Sequence, residues 1–291
     1  MKKITLYIFF FTISIFGKEI PNYEKEIIIR DYFHYFINEV DKLEVEIDFK
    51  MGELILGPNV DYPHEFNGFS EYNPDYFDSP EVVYDVLGKS GFLIIRSVAS
   101  DHEFSFDWDT NQFHNRGEYK FPLSTPIEME LDFGMGDTDI DLTGMEIQSL
   151  DIECGMGKAT LNIDSQNSII CEKINIEAGM GEFEGIGLSQ LRAEVVNIKV
   201  GLGSAEIDFS GFINHDMDID VDVGLGDIEL VLPDNANITT HVNETFLSSV
   251  EMGGLIKKGN KYVSRNWDRD RPTIVLDISV GLGSINLEIS D

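Results

Sequence analysis

The sequence predicts an all-β fold, a β-solenoid or stacked-strand rack with coils of about 22 residues. Three observations carry that reading. The triplet Gly-Met-Gly or Gly-Leu-Gly begins at Gly134, Gly155, Gly179, Gly201, Gly224 and Gly281, and the first five copies are 21, 24, 22 and 23 residues apart. Each copy is flanked by apolar residues alternating with polar ones, the pattern of a strand with one buried face. Ile198 and Val200 precede Gly201, for example, and Ala205, Ile207 and Phe209 follow Gly203. The middle residue of each triplet is always Met or Leu.

Length and charge bound what such a fold serves. The chain has 291 residues and a formal net charge of −32. Nucleic-acid binding depends on Lys and Arg neutralising phosphates, so this surface excludes it, and an anionic membrane surface is disfavoured for the same reason. Apolar residues make up 42%, enough to build a packed core.

The elements follow in order. Lys2-Lys3, the apolar run Ile4–Phe16 and Gly17 fit a secretory signal peptide at 1–17. The run is short of the roughly 20 residues that span a bilayer. Ile15-Phe16-Gly17 is a poor small-x-small cleavage site, so an uncleaved anchor is the alternative, and it is the membrane contact foreseen. Export places the protein outside the cytoplasm: periplasm, cell surface or medium. Residues 18–125 hold N-terminal strands and a region rich in aromatics. Within it Val82–Val86, Phe92–Val98 and His102–Trp108 read as strands, Ile27-Ile28-Ile29 and Tyr32–Ile37 as a strand pair or a short helix with β-branched and aromatic residues favouring strands, and the aromatics of 58–122 as a cap over the exposed solenoid end, with a ligand site the alternative. Lys50-Met51-Gly52 is an imperfect seventh triplet in this part. Residues 126–291 hold the repeats. The interval of 57 residues from Gly224 to Gly281 reads as one or two coils carrying an insertion; that insertion, at 233–272, reads as a loop closing the C-terminal end or as a contact surface.

The triplet itself calls for a bend, because glycine tolerates φ > 0 and close backbone approach. A solvent-exposed turn tip favours Asn, Asp or Ser. Met135, Met156, Met180, Leu202, Leu225 and Leu282 are apolar instead, so the expectation is a corner whose tip fills the interior. An antiparallel meander with Gly-x-Gly hairpins is the competing fold. The constant period and apolar tip rank it second.

Chemistry leaves few marks. The triplets lack GxGxxG and a following helix, so no helix N-terminus stands ready for a phosphate. GxSxG and HExxH do not occur. Six histidines are scattered; His102 and His114 are the one pair weighed as metal ligands, with surface histidines the simpler reading. Asp137 and Asp139 resemble a glycosidase carboxylate pair only by proximity, since alternation makes them the outward face of a strand. Cys154 and Cys171 read as small buried hydrophobes, although export permits a disulfide.

One constellation stands out. Alignment on the first glycine puts Asp139, Thr160, Glu184, Glu206 and Glu229 in one outward column. In-register coils about 4.8 Å apart would crowd these carboxylates. Calcium, which takes several carboxylate oxygens, is the candidate cofactor, with Asp139, Glu184, Glu206 and Glu229 its candidate ligands. A screened, solvated acidic face is the alternative.

Leu43–Leu56 (LEVEIDFKMGELIL), Leu123–Leu142 (LSTPIEMELDFGMGDTDIDL) and Leu150–Ile163 (LDIECGMGKATLNI) resemble the toast-rack family of bacterial envelope proteins. Val263 through Ile289 resembles the C-terminal domains of cell-wall-stress accessory proteins built on the same rack, and adhesin-like β-solenoid domains. The resemblance implies extracytoplasmic placement and a role in envelope sensing or adhesion, and it carries no catalytic residues. The expected function is a non-enzymatic interaction or adhesion module whose partner is an envelope protein or glycan. A sensory domain of an envelope-stress response and a carbohydrate-active enzyme are the alternatives.

Overall fold

The structure is a computed structural model that describes residues 5–6, 27–100, 113–244, 248–259 and 261–290. The expected export segment, apart from Thr5–Leu6, lies outside the described residues, as does the strand expected at His102–Trp108. The N-terminal part contains β1 (Thr5–Leu6), β2 (Ile29–Phe36), β3 (Lys42–Pro58), β4 (Glu65–Tyr72), β5 (Glu81–Leu87), β6 (Ser90–Arg96) and β7 (Asn115–Phe121). The repeats supply β8 (Ile127–Asp141), β9 (Ile147–Asn162), β10 (Cys171–Ala178), β11 (Glu182–Ile186), β12 (Ala193–Val200), β13 (Ser204–Asp208), β14 (Met217–Val223) and β15 (Asp227–Leu232). After them come β16 (Asn237–Glu244), β17 (Ser249–Met252), β18 (Leu255–Lys258), β19 (Lys261–Ser264), β20 (Thr273–Val280) and β21 (Ser284–Ile289).

These strands form a β-solenoid with two faces. A coil runs up one face, turns at its Gly-x-Gly corner, and returns along the other. The first face stacks the leading half of β3, then β8, β9, β10, β12, β14, β20 and β16, all parallel. The second face stacks the trailing half of β3, then β8, β9, β11, β13, β15, β21 and β17, again parallel. Parallel pairing excludes the hairpin meander. The register is residue on residue: Ile198 pairs with Ile176 and Val221, and Ile207 with Gly185 and Leu230.

The core is the slab between the faces, and alternation fills it. Val200, Ile207, Val223 and Leu230 are buried while Lys199, Glu206, Asp222 and Glu229 are exposed. In two coils a large residue on one side of the corner is matched by a small one on the other. Phe133 faces a coil partner in Thr138, and Ala178 is matched by Phe183; all four are buried. Phe133 also stacks on Phe49 one coil away, ring centroids 6.1 Å apart. Such size alternation keeps two layers at native packing density.

The edge opposite the glycine corners is closed by asparagine. Buried Asn167 accepts from the Ile147 amide at 3.2 Å and donates to the Ile147 carbonyl at 2.6 Å. Asn235 repeats the pair on Ile213, and Asn237 does so on Asp268. The amide side chain acts as a strand partner where the turn has no backbone neighbour.

Antiparallel strands cover both faces at the N-terminal end and the first face, through β19 on β16, at the C-terminal end. At the N-terminal end β5 pairs with β6, and β2 with β4, which pairs with β7. β6 and β7 in turn join the two halves of β3 in parallel. Phe66, Tyr119 and Phe121 are buried beneath, and the Tyr35 hydroxyl donates to the Val82 carbonyl at 2.7 Å, tying the two faces. The first coil is β3, with the imperfect triplet at its bend, so the solenoid begins inside the segment that the sequence suggested as N-terminal strands and cap.

Residues 233–272 hold both the extra coil expected in the long interval and its insertion, which is a strand hairpin rather than a closing loop. The coil is β16 and β17, and the hairpin is β18–β19, whose second strand folds back antiparallel onto β16. In space β20–β21 slots between β14–β15 and β16–β17, so the chain's last coil is an inner one.

Candidate functional site

The corners form the most distinctive surface. Apex amides bind the coil below: Met180 N donates to Gly155 O, Leu202 N to Gly179 O, Leu225 N to Gly201 O and Leu282 N to Gly224 O, all at 2.7–2.8 Å. Earlier in the chain Met135 is the sheet partner of both Met51 and Met156. The apices therefore stand in one file along the solenoid.

They point outward, which overturns the expectation of an interior tip. Met135 and Met156 are 39% and 38% exposed, and Met180, Leu202, Leu225 and Leu282 lie between 52% and 57%. The cause is geometric. Two sheets about 10 Å apart are joined by three residues, so the backbone itself closes the edge and leaves no interior volume at the apex. The glycines are small because the neighbouring coil's carbonyls press on them. A β-carbon on Gly136 would lie 2.0 Å from Gly52 O, and one on Gly155 2.3 Å from Gly134 O.

Outward columns flank this ridge. On the first face runs Asp48, Asp132, Glu153, Glu177, Lys199, Asp222 and Ser279. On the second runs Glu53, Asp137, Lys158, Glu182, Ser204, Asp227 and Ser284. Asp137, Glu153, Glu182 and Asp222 are exposed and have no ion-pair partner among the described residues. Lys50, beside the first apex, pairs with Asp48 at 2.6 Å and Asp132 at 3.4 Å.

The column expected to crowd carboxylates does form. Glu184, Glu206 and Glu229 are successive partners, and Thr160 separates Glu184 from Asp139. Its ends have local partners. Lys158 Nζ lies 2.9 Å from Glu184, whose hydrogen bond raises the lysine above its ordinary range, and Asn286 donates to Glu229 at 3.0 Å. Among the described residues no three His, Cys, Asp or Glu side chains converge on a metal-sized point. Asp137 and Asp139 are two exposed residues on the outer face of β8.

Both cysteines are buried and free, Cys154 in β9 and Cys171 in β10, with burial pushing each thiol up to about 12. His114 approaches Glu71 at 3.8 Å; His102 lies outside the described residues.

Residues 16–184 match the family described as the N-terminal domain of toast_rack, DUF2154. The chain belongs to the toast-rack family. Its coils beyond residue 184 continue the same corner motif. This toast-rack chain is similar to a solved "putative cell adhesion protein" from Clostridium sporogenes ATCC 15579, at 18% identity over 90% of this chain and 99% of that one, TM-score 0.45. It is similar also to a "putative adhesin" from Bacteroides fragilis NCTC 9343, at 16% identity over 90% and 97%, TM-score 0.39. A "putative adhesin" from Parabacteroides merdae ATCC 43184 aligns at 12% identity over 90% and 96%, TM-score 0.37. No curated protein matches the sequence. No helix among the described residues is long and apolar enough to cross a membrane.

Proposed function

We propose that this toast-rack chain is a non-enzymatic, extracytoplasmic interaction module of the bacterial cell envelope, holding an envelope protein or glycan. One observation carries the reading: the solenoid presents in-register columns of side chains at strand spacing on both faces and along the corner. Repeat scaffolds of this kind suit extended contact, because recognition groups recur at fixed intervals on a rigid frame. The groove among Lys158, Glu182, Glu184, Glu206, Asp227 and Glu229, about 350 Å³, lies on such an outer face between columns. The basic start and apolar run at Lys2–Phe16 support export.

The test uses the full-length chain as immobilised bait against envelope extract, with the same protein assayed for turnover of envelope glycans. Saturable capture of a partner without glycan turnover is expected. Turnover, or the absence of any saturable partner, would contradict the proposal.

A further inference from the structure

We infer that the file of corner apices is a docking edge for a basic amphipathic α-helix of a partner protein. The inference rests on the interaction-module reading and names its partner class. The edge is apolar along its crest: Met135, Met156, Met180, Leu202, Leu225 and Leu282 are all exposed, each between two glycines that leave it proud of the backbone. A contiguous exposed apolar line rimmed by polar residues marks a contact site more often than a free surface.

Spacing selects the helix. Six apices one coil apart span about 24 Å, the length of roughly 16 helical residues. Along a helix, residues alternating three and four apart advance about 5 Å per step, close to the coil spacing of about 4.8 Å. Same-face residues of an extended strand advance about 6.6 Å and fall out of phase within two or three coils. Met and Leu are the side chains that adapt to such a stripe.

Charge selects the flanks. The two columns beside the crest carry nine carboxylates and two lysines over seven coils. Asp137 and Glu182 on one side, and Glu153 and Asp222 on the other, are exposed without an ion pair among the described residues. A helix whose apolar stripe is bordered by Lys or Arg on both sides complements this edge. A second copy would set carboxylates against carboxylates, and an anionic bilayer would be repelled.

The probe is a labelled 18-residue Leu/Lys peptide of helical pattern, titrated by anisotropy against the full chain. The expected result is salt-sensitive binding that weakens at least about tenfold in Met180→Ser/Leu202→Ser/Leu225→Ser. It should be unchanged in Phe212→Ser, a 70% exposed apolar residue outside the corners. A Leu/Glu peptide of the same pattern should not bind. Met156→Gln/Leu282→Gln repeats the test with other apices if the triple variant melts early. Equal binding by wild type and both ridge variants would overturn the inference. So would equal binding of the Leu/Glu peptide, ridge-dependent binding to phosphatidylcholine vesicles in place of the peptide, or ridge-dependent self-association. An envelope partner captured equally by wild type and ridge variant would remove the helix edge and leave the interaction module standing. Failure to capture any partner, with the peptide still bound at the ridge, would count against the module reading alone.

Discussion

A β-carbon placed on Gly283 would stand 1.7 Å from the carbonyl oxygen of Gly226 in the neighbouring coil. The second glycines at 203 and 136 meet the same obstacle at 2.0 Å. Gly283→Ala should therefore lower stability by more than the roughly 1 kcal/mol of an ordinary substitution. Gly201→Val should do likewise, through its 2.8 Å approach to Gly179 O, with no left-handed backbone involved. Gly57→Ala, where nothing lies within 4 Å, should be close to neutral. Thermal melts of the three variants check this ordering, and equal melting would show that the coils can spread apart.

Inward and outward positions should respond in opposite ways. Val200→Asp, Ile207→Asp or Val223→Asp buries an unpaired charge in a slab one layer deep on each side, and should abolish cooperative unfolding. Glu206→Lys sits between Glu184 and Glu229 and removes two like-charge contacts, each unfavourable by a few tenths to about 1 kcal/mol. It should be tolerated or mildly stabilising in urea titrations.

Much of this was legible in the sequence because period-two alternation states which face is buried and the glycines state where each coil starts. Aligning on Gly179, Gly201 and Gly224 alone puts Glu184, Glu206 and Glu229 in register, and the backbone pairs them so. The apices were misjudged because apolar character says nothing about direction at a corner. The three-residue bend fills the rack's edge with backbone, which sends Leu202 and Leu225 out. The placement of β20–β21 inside β16–β17 had no local signal. It is decided by which coil edges remain unpaired after β15, a property of the whole stack. The asparagine closures were missed because Asn167 and Asn235 look like ordinary turn residues until their carbonyl partners are known.

The two thiols give stability a pH dependence. Burial raises Cys154 and Cys171 from an ordinary value of 9.0 to about 12, so the folded chain keeps protons that the unfolded chain releases. That contribution is fully present below about pH 9 and is lost as pH rises toward 12. Cys154→Ala/Cys171→Ala should lose stability less steeply than wild type across that range. Parallel slopes in chemical denaturation at pH 8, 9 and 10 would contradict the assignment.

Cation dependence separates screening from binding on the acidic column. With Lys158 and Asn286 engaging its two ends, millimolar CaCl₂ and NaCl of matched ionic strength should raise the melting temperature equally. An additional rise in calcium that disappears in Glu206→Gln would instead establish Glu184, Glu206 and Glu229 as a cation site, with stability following ligand concentration.

The outward ridge is tested most directly by methionine oxidation of the native protein, mapped residue by residue by mass spectrometry. Oxidation follows exposure. Met135, Met156 and Met180 should convert to sulfoxide first, while Met129, Met145 and Met217, each no more than 2% exposed, should convert only on unfolding. Equal rates for the two sets, or earlier oxidation of Met129, Met145 or Met217, would mean that the corners face inward and that the rack has no apolar edge to offer a partner.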